Sequence, residues 1–177
     1  TLGTARLWNE RGNVLMNTGA YIQASQAYNK AIEMDANFGW PYGNLAMIAV
    51  TNGKYADAVP LYKKSIKLLK TKVEKAVIWN RLGIAYRKMN DYIKAIQAHR
   101  KALELDPRNI SARQDLIRIH NDLGHIKAAI NLLTASLDKA SAWNMLGNAY
   151  RRLSDYESAT EAFQKAVDLA PNDYAFK

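Results

Sequence analysis

The chain has 177 residues, 49% of them hydrophobic and 23% charged, which is the balance of a folded chain rather than a disordered one. No stretch approaches the roughly 20 apolar residues of a membrane helix, and the absence of cysteine excludes disulfides, thiolate metal sites and cysteine nucleophiles. A net charge of +9, from 25 basic and 16 acidic side chains, admits acidic partners without establishing one.

Self-similarity organises the sequence. A first copy opens at Trp8 (Trp-Asn-Glu-Arg-Gly-Asn) and a second at Tyr42 (Tyr-Gly-Asn-Leu-Ala). The third, Trp79-Asn80-Arg81-Leu82-Gly83-Ile84-Ala85-Tyr86-Arg87, closely matches the fifth, Trp143-Asn144-Met145-Leu146-Gly147-Asn148-Ala149-Tyr150-Arg151. Between them Arg113 opens the most divergent copy, with Leu116 three residues on. The openings are spaced by 34, 37, 34 and 30 residues. Each unit reads as two helices. In the third, Trp79, Leu82, Gly83 and Tyr86 fall on one helical face, a turn follows at Asn90-Asp91, and a second stripe runs through Tyr92, Ala95, Ile96, His99, Ala102 and Leu103. Asp106-Pro107 then stops the helix. Small residues at Gly83 and Ala95 let the paired helices approach, and Trp79 and Tyr86 fill the wider gaps. No run alternates with period two, so the chain is expected to be all-α.

These residues resemble the tetratricopeptide repeat family, whose pattern is Trp-x2-Leu-Gly-x2-Tyr followed by Ala, an aromatic, Ala and Pro. The third and fifth units carry the pattern best, through Ala95, Ala102 and Pro107 and through Ala159, Phe163, Ala166 and Pro171. The first keeps Trp8, Gly12, Ala24, Tyr28 and Ala31, with Arg11 where Leu is usual; the second keeps Tyr42, Leu45, Ala58 and Tyr62, with Ala46 for Gly. In the fourth, Arg113, Ile117 and His120 replace the aromatic, the Gly and the Tyr. The units are set at 5–38, 39–75, 76–109, 110–139 and 140–173 of one domain spanning 1–177, with 174–177 opening a further helix or cap. The resemblance implies a right-handed α-solenoid of antiparallel helix pairs, with ten repeat helices. The run from Tyr62 to Trp79 lacks Gly and Pro, so the second helix of the longer second unit is expected to gain almost a turn. The shorter fourth unit requires a tight turn at Leu137-Asp138-Lys139-Ala140, and His125 is placed in its inter-helix turn.

Catalytic and metal signatures are absent from the sequence: no zinc-spaced His pair, no phosphate-binding Gly motif. His99 and His120 occupy aromatic core positions and are assigned structural roles. The chain is therefore expected not to be an enzyme and to need no cofactor. What remains is the concave face that first helices of this family line, at sites one, two and five residues after the aromatic anchor. The first reads Asn9, Gly43, Asn80, Gln114, Asn144; the second Glu10, Asn44, Arg81, Asp115, Met145; the third Asn13, Met47, Ile84, Arg118, Asn148. Asn is a mediocre helix former, and its carboxamide both donates and accepts, which suits the peptide groups of an extended ligand. The pattern is similar to the asparagine ladders of peptide-binding members of the family, although Asn after Trp also recurs as simple repeat consensus.

Some family members grip acidic C-terminal tails of heat-shock chaperones through Lys and Asn on the first helix, Asn on the next and Lys and Arg on the third. Asn13, Asn44 and Arg81 match that set, whereas Asn9 and Val77 stand at the lysine positions, which puts a terminal-carboxylate ligand in doubt. Positive charge concentrates in the second and third units. Lys63, Lys64, Lys67, Lys70, Lys72 and Lys75 fall on or after a second helix and read as a solvated face. Arg81, Arg118 and Arg151 lie on first helices and suit carboxylates. The expected function is a scaffold holding an acidic, extended protein segment through Asn9, Asn13, Asn44, Asn80, Arg81, Gln114, Arg118, Asn144, Asn148 and Arg151. Two alternatives stand beside it: self-assembly through an uncapped C-terminal end, and nucleic-acid binding, which has the charge but no motif or stacking platform. No membrane partner is expected. Thr1-Leu2-Gly3-Thr4 shows neither an initiator Met nor a signal segment, so the chain reads as a piece of a longer protein, with a cytoplasmic location as the default.

Overall fold

A computed structural model describes residues 2–131, 136–152 and 155–171. It is all-α: α1 (Leu2–Asn17), α2 (Tyr21–Met34), α3 (Gly39–Thr51), α4 (Tyr55–Leu68), α5 (Lys72–Lys88), α6 (Tyr92–Leu105), α7 (Ile110–Asn131), α8 (Ser136–Arg152) and α9 (Tyr156–Leu169). Among the described residues there is no strand, and the helices number nine where ten were expected. The chain divides into two compact units, Thr1–Asp115 and Leu116–Lys177, with the division inside α7.

In the first unit α1 pairs with α2, α3 with α4 and α5 with α6; in the second α8 pairs with α9. The three pairs of the first unit close on short turns whose geometry is local. Gly19, Gly53 and Asn90 take φ of +78°, +74° and +59°, the left-handed conformation that ends a helix. The N–H of the next residue then reaches back five residues, Ala20 to Leu15 O, Lys54 to Ala49 O and Asp91 to Tyr86 O, at 2.8–2.9 Å. Asp91 and Asp155 cap the helices that follow by accepting from the N–H of Lys94 and Ser158.

Pairing rests on close approach. Alanines 24, 27 and 31 of α2, and 95, 98 and 102 of α6, are essentially fully buried. A Cβ at Gly83 would lie 2.6 Å from Cε1 of His99, and one at Gly147 2.7 Å from Cδ1 of Phe163. An aromatic ring sixteen residues after each glycine therefore fills the space the glycine leaves. Trp79 packs on Ala76, Ala102 and Ala112, joining α5, α6 and the start of α7, and Ala24, Tyr28 and Ile48 join α2 to α3.

Three expectations about helix ends and turns are corrected. The second helix of the second unit does not lengthen: α4 has 14 residues, as do α2, α6 and α9. Leu69 turns extended (φ −66°, ψ 148°) and buries its side chain against Gly39. Thr71 then starts α5 early, its hydroxyl accepting from Glu74 N–H while the Glu74 carboxylate accepts from Thr71 N–H. The additional residues thus enter the link and the first turn of α5. The fourth unit, likewise, has no turn near residue 125: α7 runs unbroken for 22 residues through Gly124, whose φ is not positive. A lone glycine costs a helix only about 1 kcal/mol, too little to end one. Residues 137–140 lie inside α8 rather than in a tight turn. The side chains of His120 and His125, and the segment Tyr174-Ala175-Phe176-Lys177, fall outside the described residues.

Candidate functional site

The first helices of the first unit build one cleft. Asn9, Asn13, Met16 and Asn17 recur along α1 at helical spacing, with Glu10 beside them; Trp40, Asn44 and Met47 do the same on α3. Tyr28 of α2 and Arg81 of α5 complete a concavity of about 550 Å3, open to solvent.

Its polar wall is a connected network. Asn44 Nδ2 donates to Asn9 Oδ1 at 3.1 Å and to Asn13 Oδ1 at 3.0 Å, and the Tyr28 hydroxyl donates to Asn13 Oδ1 at 2.9 Å. Asn9 and Asn44 are buried whereas Asn13 is exposed. This pairing satisfies carboxamides that would otherwise be costly to bury, and it leaves Asn13 Nδ2 and Asn44 Oδ1 as uncommitted donor and acceptor.

Arg81 differs. Its Nη1 is buried without a hydrogen-bond partner. Its positive field reaches the hydroxyls of Tyr28 and Tyr62, yet burial outweighs that field in both: the Tyr62 phenol is pushed up to about 12, and Tyr28 is also raised. Neither tyrosine supplies an anion at neutral pH, and the acidic side chain lining the cleft with Arg81 is the exposed Glu10 of α1.

Trp40 forms part of the apolar wall with Met16 and Met47. Its indole N–H donates to Glu74 Oε1 at 3.0 Å. The Thr71 hydroxyl and the Trp40 indole together hold the Glu74 carboxyl below its ordinary value. The capping group of α5 therefore also fixes a side chain of the cleft.

Four of the residues assigned from sequence meet here: Asn9, Asn13, Asn44 and Arg81. Asn80 does not. It is buried, and its Oδ1 lies 2.8 Å from Nδ1 of His99, so it faces the α5–α6 core instead of a ligand. The polar ring in an aromatic slot demands a partner, and Asn80 is that partner. Burial lowers the His99 pKa to about 4, so the ring is neutral, with Nδ1–H donating to Asn80. Gln114 is exposed on the first turns of α7, away from the cleft, and Arg118 is exposed farther along the same helix in the second unit. Asn144, Asn148 and Arg151 share one face of α8: Asn148 Nδ2 donates to Asn144 O at 3.0 Å, and Arg151 Nη2 donates to Asn148 Oδ1 at 2.9 Å. The sequence reading missed Trp40, Met16, Asn17 and Tyr28 as cleft residues; the spacing of Trp40, Asn44 and Met47 on α3 was the available signal.

Lys63, Lys64, Lys67, Lys70 and Lys72 are exposed, and Lys64 Nζ sits 4.4 Å from the centre of the Tyr42 ring. Among the described residues no His, Asp or Glu cluster could hold a metal, and no helix is long and apolar enough to cross a membrane.

Models of the tetratricopeptide repeat match residues 5–38, 27–59, 76–109 and 140–173. The chain is 27% identical over 168 residues to stress-induced-phosphoprotein 1 of Caenorhabditis elegans, covering 92% of this chain and 51% of that protein. It is 29% identical over 134 residues to the BBSome complex member BBS4 homolog of Drosophila melanogaster, covering 73% and 27%. The chain thus spans about half or less of the length of these curated relatives. Among solved structures it resembles the first repeat domain of Spaghetti (RPAP3) bound to the HSP90 peptide SRMEEVD, with a TM-score of 0.63 and 23% identity over 70% of this chain and 96% of that one. It also resembles the TPR2AB domain–HSP90 complex of yeast Sti1, with a TM-score of 0.66 and 17% identity over 97% and 79%. At these identities the structural likeness is one of fold.

Proposed function

This chain belongs to the tetratricopeptide repeat family, and we propose that it is a protein-interaction scaffold whose first unit holds an extended, acidic segment of another protein. The observation that carries this reading is Arg81, the one cationic side chain lining the cleft, set among the carboxamides of Asn9, Asn13, Asn17 and Asn44. A desolvated guanidinium donor gains most from an anionic acceptor. Carboxamides at Asn13 and Asn44 can meet the peptide groups of whatever chain brings that anion, without reading its sequence. Trp40 and the two methionines give apolar surface for a neighbouring side chain.

The similar structure bound to an HSP90 peptide supports the same kind of occupant, since SRMEEVD carries three acidic side chains. Pull-down from a lysate with wild-type protein and with Arg81→Gln, followed by identification of the proteins lost in the variant, tests the proposal. Retention of acidic segments among the lost proteins is expected. An identical set of captured proteins would move binding to another surface.

A further inference from the structure

Within the first unit, α3 packs on α2 and α5 on α4. Leu45 and Ile48 of α3 meet Tyr21, Ala24 and Tyr28 of α2, and Pro41 one turn earlier is buried. At the same repeat positions of α5, Ile78, Leu82 and Ala85 are fully buried. On α1 these positions hold Leu7, Arg11 and Val14, and they stand uncovered: Leu7 is 67% exposed, Val14 is 64% exposed, and Arg11 between them is exposed as well. Two large aliphatic side chains on one bare helix face are not the polar surface that closes a repeat array. The second unit carries a matching open face. Tyr21, Tyr55 and Tyr92 begin α2, α4 and α6 half-buried, and Tyr28, Tyr62 and His99, seven residues on, are fully buried. At those positions of α9, Tyr156 is 66% exposed and Phe163 is only half-buried, with the exposed carboxylates of Asp155 and Glu157 on either side of Tyr156.

We propose that the α1 face of one copy docks on the α8–α9 pair of a second copy, repeating between copies the way α3 stacks on the pair before it. Leu7 and Val14 then pack on Tyr156 and Phe163. Charge agrees with this placement. In the first unit Ile22 and Ile48 line one groove; Glu157 and Val14 hold their repeat positions, so docking sets Glu157 beside Val14 and within reach of Arg11, one turn away. A contact between two α1 faces would instead set Arg11 against Arg11, which charge disfavours. The proposed contact is therefore heterologous, and association continues past the dimer unless it closes into a ring. It uses neither the cleft nor Arg81, and so stands apart from the reading of the cleft as a binding site.

Sedimentation velocity of the full chain, from about 1 μM to about 1 mM, tests this. The mass should rise with concentration above the 19.9 kDa of one chain. The double variant Leu7→Ser/Val14→Ser should weaken association about tenfold or more. Both side chains are exposed, so the fold is retained, and circular dichroism checks it. Arg11→Glu alone and Glu157→Arg alone should each weaken association severalfold by bringing like charges together. An equimolar mixture of these two variants should restore it, because each face then meets an opposite charge. Arg81→Gln should leave association unchanged. A chain that stays monomeric over the whole range, or that associates without regard to Leu7 and Val14, overturns the proposal. So does a mixture of the two charge variants that stays as weak as either alone. None of these failures touches peptide binding in the cleft, which the Arg81 variant tests separately.

Discussion

Replacing Asn80 by Ala discriminates sharply between a groove residue and a core residue. Were Asn80 facing a ligand, Ala would be the better helix former and the free protein would gain up to about 0.7 kcal/mol. The structure reverses the sign. Asn80 Oδ1 is 2.8 Å from His99 Nδ1, and His99 Nε2 is already buried without a partner. The variant would leave a fully buried imidazole with neither nitrogen satisfied, which costs about 1–3 kcal/mol. After the gain in helix propensity, the net loss is about 1–2 kcal/mol, or a fall in Tm of about 2–4 °C for each kcal/mol. Urea titration followed by circular dichroism measures it. The double variant Asn80→Ala/His99→Phe should recover most of the loss, because Phe163 occupies the matching slot against Gly147 and leaves no polar atom to satisfy. Asn144→Ala in α8, at the same place in the repeat, should change stability by no more than about 0.5 kcal/mol. A stabilised Asn80→Ala protein would refute the inward placement of this side chain.

His99 also makes stability depend on pH. Its pKa is lowered from 6.5 to about 4 on folding, so the unfolded chain binds the proton more readily. This contribution is fully present above pH 6.5 and is lost as pH falls through 4, amounting to about 3 kcal/mol in all; acid titration of wild type against His99→Phe should show it vanish in the variant. Gly83→Ala should cost about 1–3 kcal/mol by driving a methyl group into the His99 ring, read by thermal denaturation. Gly124→Ala should stabilise by about 0.5–1 kcal/mol, since the residue is helical with open space around it; destabilisation would instead place a left-handed turn there. Thr71→Ala should cost about 0.5–2 kcal/mol and speed hydrogen exchange of the Glu74 amide, whose acceptor it removes.

The repeat, the helix pairs and three cleft residues, Asn13, Asn44 and Arg81, were legible because helical periodicity and a recurring unit place them on one face without knowledge of tertiary contacts. Asn9 was legible as a position but not as a buried partner of Asn44. Asn80 was misplaced for a reason specific to its unit. The third repeat carries His where the first, second and fifth carry Tyr or Phe, and a buried imidazole recruits the nearest carboxamide. The early start of α5 was written as Thr71-Lys72-Val73-Glu74, a capping pattern that a search for Gly and Pro alone passes over. Trp40 escaped because it precedes the repeat anchor Tyr42 by two residues, outside the sites one, two and five residues after each anchor; the folded α3 brings it beside Asn44. The unbroken α7 was hidden by the repeat itself, since the four neighbouring units predict a turn that the fourth lacks the residues to make.

The central claim is that Arg81 awaits an anion from outside the chain. The most direct measurement is the NMR signal of the Arg81 side-chain Nε–H during titration with an amidated peptide carrying one Asp beside one Phe, compared with its Asn counterpart. The Asp peptide should shift that resonance to saturation and should bind at least about tenfold more weakly to Arg81→Gln, as loss of a charge-assisted hydrogen bond requires. A resonance that moves equally with both peptides, or with neither, would contradict the account.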